Sequence, residues 1–375
     1  MSLRACILTS VHTAFDVRIL HKECKSLARA GFNVTMIAPH AEDLELDGVR
    51  LRAVPRPVGR LDRITRTVWR VYREAIRQRA DVYHFHDPEL IPVGLLLRLR
   101  GKKVIYDVHE DLPRCMPYKP YLPKWLGRFS AKLVEAAENM AARCFSAVIP
   151  ATPGIAMRFE RLNRRTVTVN NYPMLQEWIA PAPQPTWTQR EPAIAFVSAG
   201  ITRTRGAQEM VEAMSLLPCD LAATLEFVGE IQPPELKDVL SKLSGWSRVR
   251  LHGTMDRRGV SGLLHRVRAG IVVEHPVPNY LNGKPTKLFE YMAAGLPVIA
   301  SDFPECRKII EGAGCGLLVD PLNPKQIAAA IEHILLHPQQ AEEMGMRGLG
   351  AIQEQYNWGV EEKKLIGLYS ALAEA

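Results

Sequence analysis

Between Asn282 and Asp302 the chain reads Asn-Gly-Lys-Pro-Thr-Lys-Leu-Phe-Glu-Tyr-Met-Ala-Ala-Gly-Leu-Pro-Val-Ile-Ala-Ser-Asp, and no other stretch restricts the fold as much. Gly283 and Pro285 break the preceding structure, and Thr286 is expected to cap a helix running from Lys287 to Ala294. Gly295 ends that helix, and after Pro297 the apolar run Val298-Ile299-Ala300 reads as a buried strand. A helix that starts beside a glycine loop offers free N–H groups and a positive dipole end, which suits a phosphate. Glu290 lies one turn in, where its carboxylate can accept two hydroxyl hydrogen bonds from a ribose. From these residues alone, an ordinary capped surface helix reads the same way.

The 375 residues are too many for one compact core and suit two domains. A hydrophobic content of 47% with 23% charged residues is that of a globular protein in water. The opening apolar run is too short for a signal peptide, and no later segment approaches a membrane span, so a cytoplasmic location is expected. Cysteines 6, 24, 115, 144, 219, 306 and 315 are scattered without C-x-x-C spacing, which disfavours both zinc and a disulfide framework. Residues 1–180 hold 29 Lys and Arg against 18 Asp and Glu, whereas the remainder holds 19 against 22. Only the first half is therefore expected to meet an anionic partner.

In the first half, Cys6-Ile7-Leu8 opens a strand, a loop follows with His12, Asp16 and Arg18, and a helix leads to the strand Val34–Ala38. The loop lacks G-x-G-x-x-G, which disfavours a dinucleotide there. From Arg56 to Arg79 eight arginines alternate with apolar residues at helical spacing. The resulting basic amphipathic helix, 60–79, fits an anionic membrane surface or the solvated outer face of the domain. Val82–His86 and Val104–Asp107 are strands whose carboxyl ends carry His86-Asp87 and His109, where open α/β sheets place ligands. His84 and His86 share one strand face, yet no third metal ligand is evident and a structural role is expected. Thr166–Asn170 reads as a further strand. The prolines between 173 and 192 mark a linker. A strand at Ile194–Ser198, Gly200, a basic loop and a helix from Ala207 then repeat the pattern of a phosphate site. Ala269–Glu274 is the strand before the opening stretch, and Trp358-Gly359 is expected to break the chain before a last helix.

Lys287-Leu-Phe-Glu-Tyr-Met-Ala-Ala-Gly-Leu-Pro-Val-Ile-Ala-Ser-Asp302 resembles the donor-binding signature of the retaining glycosyltransferases of family 4. The resemblance implies the GT-B fold, two Rossmann-like doubly wound domains facing across an interdomain cleft. It divides the chain into an acceptor domain at 1–172, a linker at 173–192, a nucleotide-sugar domain at 193–356 and a returning helix at 357–375. It implies donor contacts from Gly200, Arg203, Arg205, Gly253, Asn282, Gly283, Thr286, Lys287, Leu288 and Glu290, with Glu290 on the ribose. Arg205 stands where the family usually has a lysine for the diphosphate, and Asn282 where it usually has a glutamate for the sugar. Acceptor-side candidates are His12, Asp16, Arg18, His86, Asp87 and His109. The catalytic group implied is His109, Asn282, Arg205 and Lys287.

The activity implied is transfer of a sugar from a nucleoside diphosphate sugar, of UDP type, to a glycan or lipid-linked hydroxyl. The anomeric configuration is retained, and no cofactor or metal takes part. Polysaccharide or glycolipid assembly, peripheral contact with an anionic membrane through 60–79 and no nucleic-acid partner complete the expectation. Two rivals remain open at this point. One is a nucleotide-sugar epimerase of the same fold, and the other is a non-enzymatic anionic-membrane binding protein.

Overall fold

The computed structural model describes residues 3–118, 124–178, 185–281 and 283–374. The chain divides into two compact units, Met1–Asn171 with Trp358–Ala375, and Tyr172–Asn357. Each is built on a mainly parallel sheet covered by helices.

In the first unit the strands are β1 (Arg4–Leu8), β2 (Asn33–Pro39), β3 (Leu44–Leu46), β4 (Val49–Val54), β5 (Val82–Phe85), β6 (Lys103–Val108) and β7 (Ala147–Pro150). Their order is β3-β4-β2-β1-β5-β6-β7, parallel except where β3 runs against β4. Ala5, Cys6, Ile7 and Leu8 are all buried, the pattern of a strand covered on both faces. From β1 the chain crosses to β2 on one side, and β5 lies on the other. The order therefore reverses beside β1, which opens a crevice at the carboxyl ends of β1 and β5.

The helix Trp358–Glu374 belongs to this unit. Trp358 Nε1 donates to Ser26 Oγ at 2.9 Å, and the Glu361 carboxylate accepts from the backbone N–H of Asn170 at 2.9 Å.

The second unit holds β8 (Ala193–Ile201), β9 (Thr224–Ile231), β10 (Val249–Gly253), β11 (Ala269–Val272), β12 (Val298–Ser301) and β13 (Gly316–Val319). The order is β10-β9-β8-β11-β12-β13, with every pairing parallel. The switch point lies between β8 and β11. Two close approaches fix the elements around it. A Cβ on Gly270 of β11 would come 2.1 Å from the ring of Tyr291, and one on Gly206 would come 2.1 Å from the Val273 carbonyl. Gly206 also has φ +73, a conformation that favours glycine.

Several local expectations are corrected. Thr286 does not cap its helix: the helix is Thr286–Ala293, and Pro285 stands before it with φ −60. Proline presets that angle, so no side-chain cap is needed to turn the chain. Residues 166–170 form no strand, only a single bridge from Thr166 to Val148. β8 continues through Gly200 to Ile201, whereas β11 stops at Val272. Trp358 and Gly359 begin the last helix rather than break the chain. Residues 60–78 are helical as a short turn Arg60–Asp62, a wide π-turn Arg63–Thr67 and an α-helix Val68–Gln78. Within 173–192, Trp178 and Trp187 are buried in the core of the second unit.

Candidate active site

The second unit's switch point opens into a crevice with two lobes that share Val197, Ser198, Ala199 and Lys287. The first lobe, about 370 Å³, is lined by Arg205, Glu274 and Tyr280 and by the run Gly283–Lys287. The second, about 220 Å³, is lined by Trp178, Val228, Gly229, Thr254, Met255, Arg257, Val260 and Glu290. Both are lined by the end of β8 and the start of the helix Thr286–Ala293, the first also by β11 and the second by β9.

Local sequence explains how each group is held. Val197 N donates to Tyr291 Oη at 2.9 Å, which ties the helix to β8 and sets the position of its neighbour Glu290. Lys287 Nζ donates to Glu290 Oε2 at 2.6 Å from one turn earlier. Arg205 ends the 3₁₀ turn Arg203–Arg205 after β8. Its guanidinium donates to the Gly200 carbonyl at 3.1 Å, to Ser198 Oγ and, at 3.4 Å, to Tyr280 Oη. His275 N donates to the Thr204 carbonyl at 2.8 Å, so the loops after β8 and β11 are laced together. Burial pushes the Glu274 carboxyl up to about 7, against the downward pull of Arg205. The first lobe thus combines three cationic residues, Arg205, Lys284 and Lys287, a carboxyl that resists ionisation and the first-turn amides of a helix, whose N–H groups have no preceding turn to bond. Such a lobe suits an anion.

Arg205, Gly283, Thr286, Lys287 and Glu290 come together on this crevice. Gly200 contributes only its carbonyl to Arg205. Arg203 is exposed, donates to Gln208 Oε1 at 2.8 Å and lines neither lobe. Leu288 is wholly buried, with its side chain in the core. Gly253, φ +69, ends β10 one residue before Thr254 of the second lobe. Asn282 lies outside the described residues. Ser198, Tyr280, Trp178, Thr254, Met255 and Arg257 escaped the sequence reading. Trp178 was hidden in a proline-rich stretch with no periodicity, and the others stand on β8, on the stretch after β10 and in the helical turn Pro278–Leu281, whose approach to one another depends on the sheet order.

In the first unit the carboxyl ends of β1, β5 and β6 gather His12, Asp16, Arg18, His86, Asp87 and His109, but at two depths. His12 and His109 are 29% and 21% exposed at the side chain, with ring centroids 5.1 Å apart. Asp16 accepts from the N–H groups of Arg18 and Ile19 and lies 3.2 Å from His12 Nδ1. Burial raises the Asp16 carboxyl, yet the His12 contact, the Ile19 amide and the nearby histidine charges outweigh it and bring it down to about 2. For His12 burial acts downward, and Asp16 with the charges of Asp87 and Asp107 raises it overall.

Behind them Arg18 is 4% exposed and spends its guanidinium on Asp107 at 2.9 Å and the Val169 carbonyl at 2.9 Å. Asp87 accepts from Thr9 Oγ1 at 2.7 Å and the Ser10 amide at 2.6 Å, and His86 is equally buried. The side chains of Arg18, His86 and Asp87 are therefore buried and spent on protein partners.

Two doubly wound units, one with a phosphate-suited crevice at its switch point, define an α/β protein of nucleotide-binding architecture. Residues 183–349 match the family model described as Glycosyl transferases group 1, and residues 17–172 match the Glycosyl transferase 4-like domain. The phosphatidyl-myo-inositol mannosyltransferase of Mycobacterium leprae is 22% identical over 362 residues, covering 92% of this chain and 89% of that one. Sucrose-phosphate synthase from Thermosynechococcus elongatus superposes with a TM-score of 0.78 at 18% identity, over 99% of each chain. The Anabaena HepE protein in complex with UDP-glucose gives 0.74 at 14%, over 98% of this chain and 100% of that one. The chain belongs to the family 4-like glycosyltransferases and has the GT-B fold.

Proposed function

We propose that this glycosyltransferase moves a sugar from a UDP-type nucleoside diphosphate sugar to a hydroxyl of a glycan or lipid-linked acceptor, with retention at the anomeric carbon. The observation that carries the reading is the convergence of Arg205, Lys287, Glu290 and a helix start on one crevice. Glu290 in the second lobe would accept the ribose hydroxyls, and Val228, Met255 and Val260 would flank the base. Arg205, Lys287 and the amides at Thr286 and Lys287 would meet the charge growing on the leaving diphosphate, where electrostatic stabilisation acts most strongly. Asn282 and Gly283 would stand by the sugar, with Glu274 nearby as a neutral hydrogen-bonding carboxyl. His109, the partly exposed histidine above Asp107, would orient sugar or acceptor. With the diphosphate met by side chains and amides, transfer needs no divalent ion there. A UDP-glucose complex in the Anabaena neighbour supports uridine as the base.

For the acceptor, the first unit carries Leu61, Ile64 and Trp69 exposed among arginines 60, 66, 70 and 73. That surface suits an anionic lipid or lipid-linked diphosphate, at the inner face of a membrane in glycolipid or polysaccharide assembly. No helix among the described residues is long and apolar enough to cross a membrane.

The test is a panel of nucleotide sugars read by thermal shift, followed by proton NMR of the product made with a lipid-linked acceptor. The expected product keeps the donor's anomeric configuration, appears only with acceptor and forms at the same rate with or without added manganese. Inversion, conversion of the donor alone, or no stabilisation by any nucleotide sugar would each refute the reading.

A further inference from the structure

One cluster in the first unit is left unused by this chemistry. Glu23 from the turn Val17–Cys24, His84 and His86 from β5, and Asp107 from β6 each offer a ligand atom within 4.8 Å of the other three, and all four are buried. Strand alternation puts the two imidazoles on one face, stacked 4.6 Å apart.

Their outward-facing atoms are matched. His84 Nδ1 lies 3.0 Å from Tyr369 Oη, and His86 Nδ1 lies 3.0 Å from His109 Nε2. Arg18 Nη2 donates to both Asp107 oxygens, at 3.1 and 2.9 Å. The inward imidazole atoms are not matched: among the described residues His84 Nε2 and His86 Nε2 have no hydrogen-bond partner, while Glu23 is ion-paired through Oε1 with Arg18 Nε at 2.9 Å. Each buried polar atom left so costs about 1–3 kcal/mol, so something should fill the gap.

The spacings say what. His84 Nε2 stands 3.4 Å from Asp107 Oδ2, and His86 Nε2 stands 3.5 Å from Glu23 Oε2. These exceed the usual N–H···O length of about 2.7–3.2 Å. These two separations are close to the edge, about 3.3–3.4 Å, of a tetrahedron whose vertices lie about 2.0–2.1 Å from a central zinc, and the four ligand atoms would have to draw in from their present spread of up to 4.8 Å to close on the ion. Charge agrees in sign. Arg18, with Nε 2.9 Å from Glu23 Oε1, is one cation set against two buried carboxylates. The excess positive charge that a divalent ion would add is offset by Asp16, close enough to act on both Arg18 and Glu23.

We propose that Glu23, His84, His86 and Asp107 form a closed structural site for a divalent cation, zinc by its two-imidazole, two-carboxylate donor set. Ligation through both Nε2 atoms leaves the Nδ1–H of His84 to Tyr369 and the Nδ1–H of His86 to His109, the outer hydrogen bonds that orient ligating histidines. Arg18 orients the carboxylates in the same way. With four protein ligands there is no open position for a substrate. The ion clamps β5 and β6 to the helical turn, and through His86 it fixes the ring of His109. The reading of the second unit's crevice does not enter.

The full chain, produced without a polyhistidine tag, is assayed by elemental mass spectrometry, stripped with chelator and titrated with zinc or cobalt chloride. About one zinc per chain is expected, with a melting temperature that falls on stripping and recovers with zinc. Cobalt should give the intense visible bands of a four-coordinate ion. Glu23→Gln and His86→Gln, which remove direct ligands, should weaken zinc binding by more than the roughly 10–100-fold that losing an outer-shell partner costs. Purified protein without zinc whose melting temperature ignores added zinc would overturn the proposal. A six-coordinate cobalt spectrum, or equal binding by the variants, would do the same. If a variant fails to fold, the wild-type cobalt spectrum decides alone.

Discussion

At the scale of single residues, the crevice separates binding from turnover. Glu290 stands in the lobe assigned to the nucleoside, so Glu290→Ala should weaken UDP binding. Hydrogen bonds to a charged group are worth about 1.5–3 kcal/mol, which is roughly 10–100-fold. Arg205 contacts Gly200, Ser198 and Tyr280 in the other lobe. Removing a group aimed at developing charge typically costs about 10²–10³ in kcat, so Arg205→Ala should lower turnover with a smaller loss of affinity. Calorimetry with UDP and initial rates read the two effects, and wild-type values for both variants would empty the crevice of its assigned role.

Glu274 gives a pH prediction. Its folded value of about 7 lies above its ordinary 4.5, because burial disfavours the charged form. Below 4.5 the carboxyl is protonated in both states and costs nothing. Between 4.5 and 7 the unfolded chain ionises first, so stability falls as pH rises, and above 7 the loss levels off. The full effect is at most about 3 kcal/mol. Glu274→Gln should flatten that part of the melting-temperature profile, and an unchanged slope would assign the pH dependence elsewhere.

At the scale of elements, strands covered on both faces were the most legible, because their apolar runs follow from burial alone. β2 and β12 contain the expected runs Val34–Ala38 and Val298–Ala300, every residue of which is buried. The hairpin of β3 and β4 was illegible: Arg50 and Arg52 interrupt the apolar run of β4 and stand half-buried on it, beside the three-residue edge strand β3. The strand expected at 166–170 is reduced to an extended stretch beside β7: Val167 N and Val169 N donate to the Val148 and Pro150 carbonyls, yet a single bridge, from Thr166 to Val148, is formed. Thr286 looked like a cap because its chemistry fits, yet Pro285 does the turning.

The packing of the helix Thr286–Ala293 on β11 depends on Gly270, whose missing Cβ leaves room for Tyr291. Gly270→Ala should displace that ring, break its bond to Val197 N and move Glu290. A loss of about 1–3 kcal/mol is expected for such overpacking, with weaker UDP binding, measured by urea unfolding and calorimetry. Full stability and affinity in the variant would show that the ring does not set the helix.

At the scale of the whole chain, the sequence showed a charge imbalance whose meaning depended on where the arginines point. The helical run 60–78 leaves Leu61 76%, Trp69 56% and Ile64 48% exposed, with Val58 at 96% just before it. Arginines 60, 66 and 73 are exposed on the same run, and Arg70 is half-buried. An outer helix that merely solvates a domain would bury such residues against it. Four arginines at about 1 kcal/mol each amount to roughly 4 kcal/mol, only millimolar attachment, so the apolar stripe has to supply the rest. Two separable outcomes are expected in vesicle co-sedimentation. The chain should bind phosphatidylglycerol vesicles, release as salt rises and ignore phosphatidylcholine. Leu61→Glu with Trp69→Glu should abolish binding even at low salt, whereas Arg66→Gln with Arg73→Gln should mainly shallow the salt dependence. Unaltered binding by the first pair would mean that charge alone holds the chain to the surface, and equal binding to both lipids would remove the anionic partner.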